Sequence, residues 1–470
     1  MPLIIPSNSQ SATGYTIDQS IRFNKNDSAY MLRTPSGAGS GTAWTISFWF
    51  KLAEIPPTDI RSFLAVDGAT NSSNRFRIGI NDSSASGFGT DGQLFVTAHS
   101  TKLIYTNRLF RDASAWYHVV YTWDSANAVA SERQRLYING VRETSFATST
   151  NPTASQVVGW NTANRTSIGA SYGISSGTVI FYADDYMAEI HNLDGYSYDA
   201  SFFGEFNDSG IWIPKEYSGS YGTNGFHIKG ESASDLGNDS SGNNNDFTTS
   251  GLGTHDQVLD SPTNNFCTYN SIQLQSGATL SDGNLDAVSS GSSWRNVHST
   301  IGVSSGKWYW EVKADVINSS QTWIAGIQET SFESKSNYWW QSGYTASSSG
   351  IVFGVLDSNY KVTNVTRTSF THDIAQGDIV QFQLNLDDNE LTVLVDGVSK
   401  GKIYDITADT EYTPAVCLYS TSSATINFGQ EGTFSGTETA GGNSDGNGVG
   451  NFKYSVPSGY LALCTKNLGS

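Results

Sequence analysis

Oxygen-bearing side chains crowd one stretch of the chain and could bind a hard cation. The stretch contains Asp235, Asn238, Asp239, Asn243, Asn245 and Asp246. Asp184 and Asp185 form a second, smaller group. Carboxylate and amide oxygens are the ligands that Ca²⁺ prefers, so both groups are candidate calcium sites. Loops rich in Asp and Asn also form turns by bonding to their own backbone, and this structural alternative stays open.

Aromatic residues indicate a second kind of site. Sugars stack their C–H faces on aromatic rings, while polar groups at the rim bind the hydroxyls. Tyr338, Trp339 and Trp340 are consecutive, and consecutive side chains on a strand point to opposite faces, so at least one should meet solvent or a partner. Trp49 is the other candidate, because it falls on the polar face of its predicted strand. Burial in a core or in a subunit contact is the alternative for all four.

Motifs for nucleophilic or phosphate chemistry lack the context that they need. The G-x-S-x-G matches at 173–177 and 302–306 are not followed by the helix of a nucleophile elbow. The G-x-G-x-x-G match at 87–92 also lacks a helix that could present its amino end to phosphate. His118 and His191 lie in or beside predicted strands, and we interpret them as packing or hydrogen-bonding residues. No catalytic residue is predicted.

The charge balance excludes two classes of partner. The 470-residue chain has 26 Lys plus Arg against 44 Asp plus Glu, for a formal net charge of −18. Such a surface repels nucleic-acid phosphates and anionic lipid head groups, so neither nucleic acid nor a membrane is expected as a partner. Cys267, Cys417 and Cys464 match no zinc or disulfide spacing and are expected to be buried thiols.

The amino-terminal end gives no targeting signal. MPLIIPSNSQSATGY lacks the basic segment and apolar run of a signal peptide, and no apolar run approaches the roughly 20 residues that span a bilayer. We therefore expect synthesis in a cytoplasm. Residues 1–14, with LII between two prolines, have little reason to fold alone, and we expect this arm to dock on another subunit as an added strand or clamp.

Apolar residues alternate along most of the chain, which predicts strands. In AWTISFWFKL, residues Trp44, Ile46, Phe48 and Phe50 share one face. The Asn139-Gly140 pair between extended segments is a strong hairpin signal, because both residues tolerate positive φ. GKWYWEVKADV and DIVQFQLNLDDNELTVLVDGV repeat the alternation later in the chain, and Asp396-Gly397 predicts a second hairpin turn.

These patterns predict an all-β protein with two antiparallel β-sandwiches. We divide the chain into the amino-terminal arm 1–14, a first sandwich over 15–205, a loop-rich connector over 206–270 and a second sandwich over 271–470. The connector contains DLGNDSSGNNNDF and THDQVLDSPTNNF, and is expected to be too polar to own a core.

The residues that carry the alternation resemble two known families. SIRFNKNDSAYMLRTPSGAGSGTAWTISFWFK, with WYHVVYTWD and LYINGV, resembles laminin-G-like domains of the concanavalin A-like lectin/glucanase superfamily, over about residues 15 to 200. GKWYWEV, GDIVQFQLNLDDNELTVLVDG and INFGQEGTF resemble the SPRY domain, over about 280 to 463. The resemblance implies a concanavalin A-like jelly roll followed by a SPRY-like sandwich. The insertion GTETAGGNSDGNGVGN departs from the SPRY pattern and is expected to project as a loop.

The domain order, with the connector segments NDSSGNNNDF and DSPTNNF, resembles structural proteins of tailed bacteriophages. This resemblance implies a virion protein, either capsid decoration, fibre or tail appendage, that is made in the host cytoplasm. Other virion proteins and host-surface glycans are its expected partners, and it is expected to be a homo-oligomer. The E-x-D-x-x-E signature of the glucanases is missing, so we expect no enzyme activity. A polysaccharide-trimming glycoside hydrolase and a cytoplasmic SPRY-type interaction module remain the alternatives.

Overall fold

The computed structural model describes residues 14–55, 57, 59–67, 75–82, 90–173, 177–332, 352–363 and 366–469. These residues form two compact units, and the division falls after Thr263. Among the described residues, no helix is long and apolar enough to cross a membrane. Residues 1–13 of the amino-terminal arm 1–14 lie outside the described residues, so the expected docking of the arm stays a prediction.

The first unit is built from antiparallel strands. Its described residues contain β1 (Ser20–Phe23), β2 (Tyr30–Arg33), β3 (Ala43–Leu52), β4 (Arg61–Asp67), β5 (Phe76–Ile80), β6 (Gln93–Ala98), β7 (Thr101–Leu109), β8 (Tyr117–Asp124), β9 (Gln134–Ile138), β10 (Val141–Arg142), β11 (Phe146–Ser149), β12 (Arg165–Ile168), β13 (Ser171–Tyr172), β14 (Val179–Ile180), β15 (Asp185–Asp194), β16 (Gly204–Phe206), β17 (Trp212–Pro214), β18 (Phe226–Ile228), β19 (Thr248–Ser250) and β20 (Gln257–Val258).

Most of these strands form two eight-stranded sheets. The front sheet has the order β10-β9-β8-β3-β15-β1-β20, with β18 also paired to β15, and the back sheet has the order β11-β7-β6-β5-β4-β12-β2-β19. One hydrophobic core contains side chains from both sheets. Trp44 of β3 is fully buried in this core and stacks on Trp123 of β8, with ring centroids 5.6 Å apart. The predicted sandwich is thus confirmed.

The hairpin predicted at Asn139-Gly140 is also confirmed. Both residues have positive φ, at 48° and 76°, and they join β9 to β10. Glycine at position 140 is also required by packing, because a Cβ there would collide with the Trp212 ring.

The connector predicted over 206–270 differs from the sequence-based expectation, because residues 195–263 belong to the first unit and supply β18 and β20 to the front sheet and β19 to the back sheet. We call these residues the covering segment. Phe203, Tyr217 and Tyr221 of this segment form a hydrophobic cluster with Val120 and Leu193 of the sheet. The average composition of the segment is polar, so the sequence did not indicate that these aromatic residues are buried. They supply the apolar surface that packs on the sheet, and a separate linker would lack such a surface.

The second unit is a sandwich followed by a short helix. Its described residues contain β21 (Ala278–Ser281), β22 (Asp286–Ser289), β23 (Trp294–His298), β24 (Lys307–Val316), β25 (Trp323–Glu329), β26 (Val352–Leu356), β27 (Tyr360–Thr363), β28 (Thr366–Ser369), β29 (Ile379–Asn385), β30 (Glu390–Val395), β31 (Val398–Asp405), β32 (Tyr412–Tyr419), β33 (Ser423–Asn427), β34 (Leu461–Ala462) and the helix α1 (Thr465–Leu468).

Two sheets build this sandwich. One has the order β21-β22-β33-β24-β29-β30-β31, and the other has the order β23-β32-β25-β26-β27-β28. Trp310 of β24 lies opposite Phe382 of β29, and their rings stack 5.3 Å apart. The Asp396-Gly397 turn joins β30 to β31, as predicted. The cysteines of this unit are free and buried, also as predicted.

The Gly-rich insertion after β33 is anchored at its base and at its centre. Glu311 of β24 accepts hydrogen bonds from the backbone amides of Lys453 and Tyr454, at 3.0 and 2.8 Å. Within the insertion, Asp445 accepts one from the amide of Ala462, at 2.9 Å. Ala462 lies in β34, which pairs parallel to β24. The insertion is largely exposed, as expected for a projecting loop, but these bonds fasten it to the sheet.

Candidate functional site

The predicted calcium ligands of the Asp- and Asn-rich stretch lie in a loop of the covering segment. The Asp239 carboxylate accepts hydrogen bonds from the amides of His227, Ser241 and Asn245, at 2.8, 2.9 and 2.8 Å. Asp246 in turn accepts one from the Asp239 amide, at 2.9 Å. Backbone donors therefore occupy carboxylate oxygens that a calcium ion would need. This arrangement matches the turn-forming alternative. Asp235 and Asn238 are exposed.

The second predicted calcium pair is engaged by cationic side chains. Asp185 forms an ion pair with Arg61 at 2.8 Å, and both side chains are fully buried. Asp184 lies 3.5 Å from the ammonium of Lys25. A bound cation would compete with these charges, so the pair has a structural role in this arrangement.

Trp49 does not lie on an open surface, which corrects its predicted exposure. It is only 5% exposed and stacks on His118, with ring centroids 4.6 Å apart. The indole N–H of Trp212 donates to His118 Nδ1 at 3.0 Å, so His118 Nε2 carries the proton and donates to the Ser47 hydroxyl at 2.8 Å. Burial lowers the pKa of His118 to about 3. The covering segment encloses the face that was predicted to be polar and exposed. Tyr338, Trp339 and Trp340 lie outside the described residues.

The covering segment presents a different set of partly exposed rings. We call Tyr196, Tyr198 and Phe202 the aromatic surface. Tyr198 stacks on Phe202 with ring centroids 4.0 Å apart and an interplanar angle of 9°, and Tyr196 stacks on Tyr198 at 5.7 Å. Phe202 is 41% exposed, which is unusual for a large apolar ring. Sequence reasoning missed these residues, which lie at the carboxyl end of the predicted first sandwich.

Hydrogen bonds to the front sheet fix the backbone that carries this surface. Thr45 bridges two residues, since its hydroxyl donates to the Tyr196 carbonyl at 2.8 Å and accepts from the Tyr198 amide at 2.9 Å. Asp199 caps the turn that contains Phe202, by accepting from the Ser201 amide at 2.9 Å. At the rim, Arg135 donates to the Ser197 hydroxyl at 2.9 Å. Aromatic rings beside polar groups form the kind of surface that binds sugars, because the rings stack on C–H faces and the polar groups bind hydroxyls.

A second cluster is buried on two neighbouring strands of the front sheet. Glu189 and His191 of β15 meet His227 of β18, and all three side chains are buried. One carboxylate oxygen of Glu189 lies 2.9 Å from His227 Nε2 and 3.3 Å from His191 Nε2. The two imidazole rings stack with centroids 3.9 Å apart. Sequence reasoning considered His191 without Glu189 or His227. The only sequence feature that could have indicated the cluster is the two-residue spacing between Glu189 and His191.

Burial and hydrogen bonding set the charges of this cluster. Burial alone would raise the pKa of Glu189, but hydrogen bonds from His191 and His227 outweigh it and lower that pKa below its ordinary value. Burial lowers the pKa of His191 to about 4. Near neutral pH, the cluster therefore contains a carboxylate beside a neutral imidazole, and these are the protonation states of metal ligands.

The fold defines an all-β protein whose two sandwiches present loops and a partly exposed aromatic surface. Residues 24–190 match the family model described as the concanavalin A-like lectin/glucanases superfamily, and residues 307–431 match the SPRY domain model. The chain therefore contains a concanavalin A-like domain in its first unit and a SPRY domain in its second. Domains of these two kinds generally serve binding or interaction.

Solved structures similar to parts of the chain include two SPRY domains and a pentraxin. The SPRY domain of human HERC1 is 16% identical, with 34% of this chain and 96% of that chain covered and a TM-score of 0.27. The TRIM65 PSpry domain is 16% identical, with 34% and 91% covered and a TM-score of 0.28. The heptameric SAP-like pentraxin from Limulus polyphemus is 12% identical, with 39% and 78% covered and a TM-score of 0.29. No curated protein sequence matches the chain significantly.

Proposed function

We propose that this protein is a non-enzymatic adhesion and structural protein of a bacteriophage virion, and that it binds host-surface glycans through the aromatic surface of its first unit. The observation that carries the binding role is the stack of Tyr196, Tyr198 and Phe202, which is partly exposed in the same unit as the concanavalin A-like match over 24–190. A ring that stays 41% exposed offers its apolar face to a ligand, and the rim supplies hydrogen-bonding groups.

The environment of three buried carboxylates supports a role without catalysis. Glycoside hydrolysis needs two carboxyl groups about 5 to 10 Å apart that are free to act on a sugar. Glu311 is fully buried and accepts two backbone amides, and Asp239 accepts three. Asp260 is paired with Lys51 at 2.7 Å. These carboxylates have structural partners, which favours holding a ligand over cleaving it.

The virion assignment rests on the resemblance of the domain order and connector segments to phage structural proteins. A formal net charge of −18 is compatible with it, because such a protein does not compete for packaged nucleic acid. Mass spectrometry of purified particles, with a copy-number estimate, tests the assignment directly. The protein is expected in particles at a fixed copy number, whereas recovery only in the soluble lysate would contradict a virion role.

A glycan array probed with the full chain tests the binding role. We expect binding to a restricted set of surface polysaccharides, because stacked rings recognise particular sugar faces. Each polysaccharide that binds is then incubated with the protein and assayed for reducing ends. Release of reducing sugar would favour the hydrolase alternative. The absence of binding to any array member and to host cells would remove the glycan role.

A further inference from the structure

We propose that Glu189, His191 and His227 bind one divalent transition-metal ion, with Zn²⁺ as the best match, and that this ion cross-links strands β15 and β18 of the front sheet. The three side chains come from two strands that are far apart in sequence, β15 and β18. Each offers one ligand atom, and these atoms lie within 4.8 Å of one another.

The distances between the ligand atoms fit a shared ion. Zn²⁺ binds nitrogen and carboxylate oxygen at roughly 2.0–2.1 Å, so two ligands of one ion lie about 2.9 Å apart at a right angle and about 3.4 Å apart at a tetrahedral angle. The Glu189 oxygen lies 2.9 Å from His227 Nε2 and 3.3 Å from His191 Nε2. Both separations fall in the range that metal coordination requires.

A distortion of β15 places the carboxylate in this cluster. The pairing of β15 with β3 shifts register between Ala188 and His191, and Glu189 has a φ of 48° within the strand. Met187 and Ile190 both face the core, so Glu189 and Ala188 lie between two inward residues at a bulge. Regular alternation after Met187 would turn Glu189 inward and Ile190 outward. A left-handed non-glycine residue in a strand is strained, and such strain is often found at functional sites.

Cross-strand pairing and a neighbouring hydroxyl complete the arrangement. His227 lies directly opposite His191 in the pairing of β15 with β18. The Tyr221 hydroxyl lies 3.1 Å from His191 Nδ1. If a metal replaces the proton that Nε2 shares with Glu189, His191 can therefore carry its remaining proton on Nδ1 and donate it to that oxygen. Histidines that bind metals usually donate their second nitrogen in this way.

The donor set selects the class of ion. Two imidazoles and one carboxylate suit Zn²⁺ and its first-row neighbours, whereas Ca²⁺ and Mg²⁺ require six or more oxygen ligands. Because the ligands come from both strands, a bound ion would join β18 to β15 and stabilise the first unit by mass action. The proposal stands apart from glycan binding, since none of the three residues belongs to the aromatic surface.

Titration of the metal-stripped full chain with Co²⁺ and Zn²⁺ tests the proposal. We expect one equivalent of Co²⁺ to produce visible ligand-field absorption, and one equivalent of Zn²⁺ to abolish it by displacement. Zn²⁺ should also raise the melting temperature, while Ca²⁺ and Mg²⁺ should do neither. Glu189→Gln, His191→Gln and His227→Gln should each weaken Zn²⁺ binding by about 100-fold or more. Tyr221→Phe should weaken it by about tenfold, which is typical of a partner that orients a ligand.

His255→Gln is the matched control, because this histidine lies in the same unit beside Asp256 and outside the cluster. It should bind Zn²⁺ as the wild type does. Near-UV circular dichroism of each metal-free variant establishes that it is folded before its affinity is compared. The proposal is overturned if the wild type binds neither Co²⁺ nor Zn²⁺ at millimolar concentration, or if folded His191→Gln and His227→Gln bind as tightly as the wild type.

Discussion

Replacing Asp260 with alanine should destabilise the first unit strongly, because Asp260 neutralises a charge buried under the covering segment. The Lys51 ammonium lies 2.7 Å from one Asp260 oxygen, and the two side chains are 1% and 0% exposed. The other oxygen accepts the indole N–H of Trp116 at 2.9 Å. The substitution leaves Lys51 buried without its carboxylate and removes the acceptor of Trp116.

The expected loss is about 3–5 kcal/mol of the free energy of unfolding, which is typical of a broken buried ion pair. Lys51→Met combined with Asp260→Leu should recover most of it, since apolar residues of similar volume often replace a buried pair at little cost. The double variant therefore shows how much of the destabilisation comes from the unpaired Lys51 charge and how much comes from lost packing.

Urea unfolding of the full chain gives a separate measurement for each unit. The cysteines of the protein, Cys267, Cys417 and Cys464, lie in the second unit and are buried. Their reaction with a thiol reagent reports the unfolding of that unit, while tryptophan fluorescence reports both. Asp260→Ala should lower the urea midpoint of the fluorescence transition that reports the first unit. It should leave the urea midpoint of thiol reactivity unchanged. A loss below about 1 kcal/mol, or an equal shift of both signals, would refute the reasoning, because a broken buried pair should cost several kcal/mol.

The remaining predictions concern three other positions. The pKa of His118 is about 3 in the fold against 6.5 ordinarily, so the unfolded chain takes up a proton first as pH falls. His118 alone should therefore lower the stability of the first unit by on the order of 3 kcal/mol between pH 6.5 and pH 4, and the lowered pKa of His191 should add to that loss, as urea midpoints across that range would show. Glu311→Ala should lower the free energy of unfolding of the second unit by at least about 2 kcal/mol, because the backbone amides of Lys453 and Tyr454 lose their acceptor. The urea midpoint of thiol reactivity should fall accordingly, and an unchanged midpoint would contradict the anchoring role of Glu311. Gly140→Ala should lower the melting temperature more than Gly195→Ala. Both glycines have positive φ, but only a Cβ added at position 140 would collide with the Trp212 ring. Equal shifts in melting temperature would show that the covering segment does not pack at position 140.

Local patterns were sufficient to predict the two sandwiches. Alternation placed Trp44, Ile46 and Phe48 in one core, where all three are fully buried. The Asn139-Gly140 and Asp396-Gly397 pairs located hairpins, because such turns need residues that tolerate positive φ. These features depend on a few neighbouring residues, so they can be read from a single sequence.

The candidate sites could not be predicted in the same way, because they depend on contacts between distant segments. The covering segment is polar on average, and its buried Phe203, Tyr217 and Tyr221 follow no period that would indicate a strand or a helix. The bulge at Glu189 interrupts alternation at one residue, so periodicity assigns its carboxylate to the wrong face. His227 pairs with His191 only after β18 adds to the front sheet.

Quantitative glycan binding by a variant of the aromatic surface tests the central claim most directly. Phe202→Ser removes the most exposed ring of the stack, and Val398→Ser is the control, because Val398 is a 62% exposed apolar residue in the second unit. Phe202→Ser should weaken binding to the best array glycan by about tenfold, which corresponds to about 1.4 kcal/mol, while Val398→Ser should bind as the wild type does. Wild-type affinity in the folded Phe202→Ser variant would contradict glycan binding through this surface.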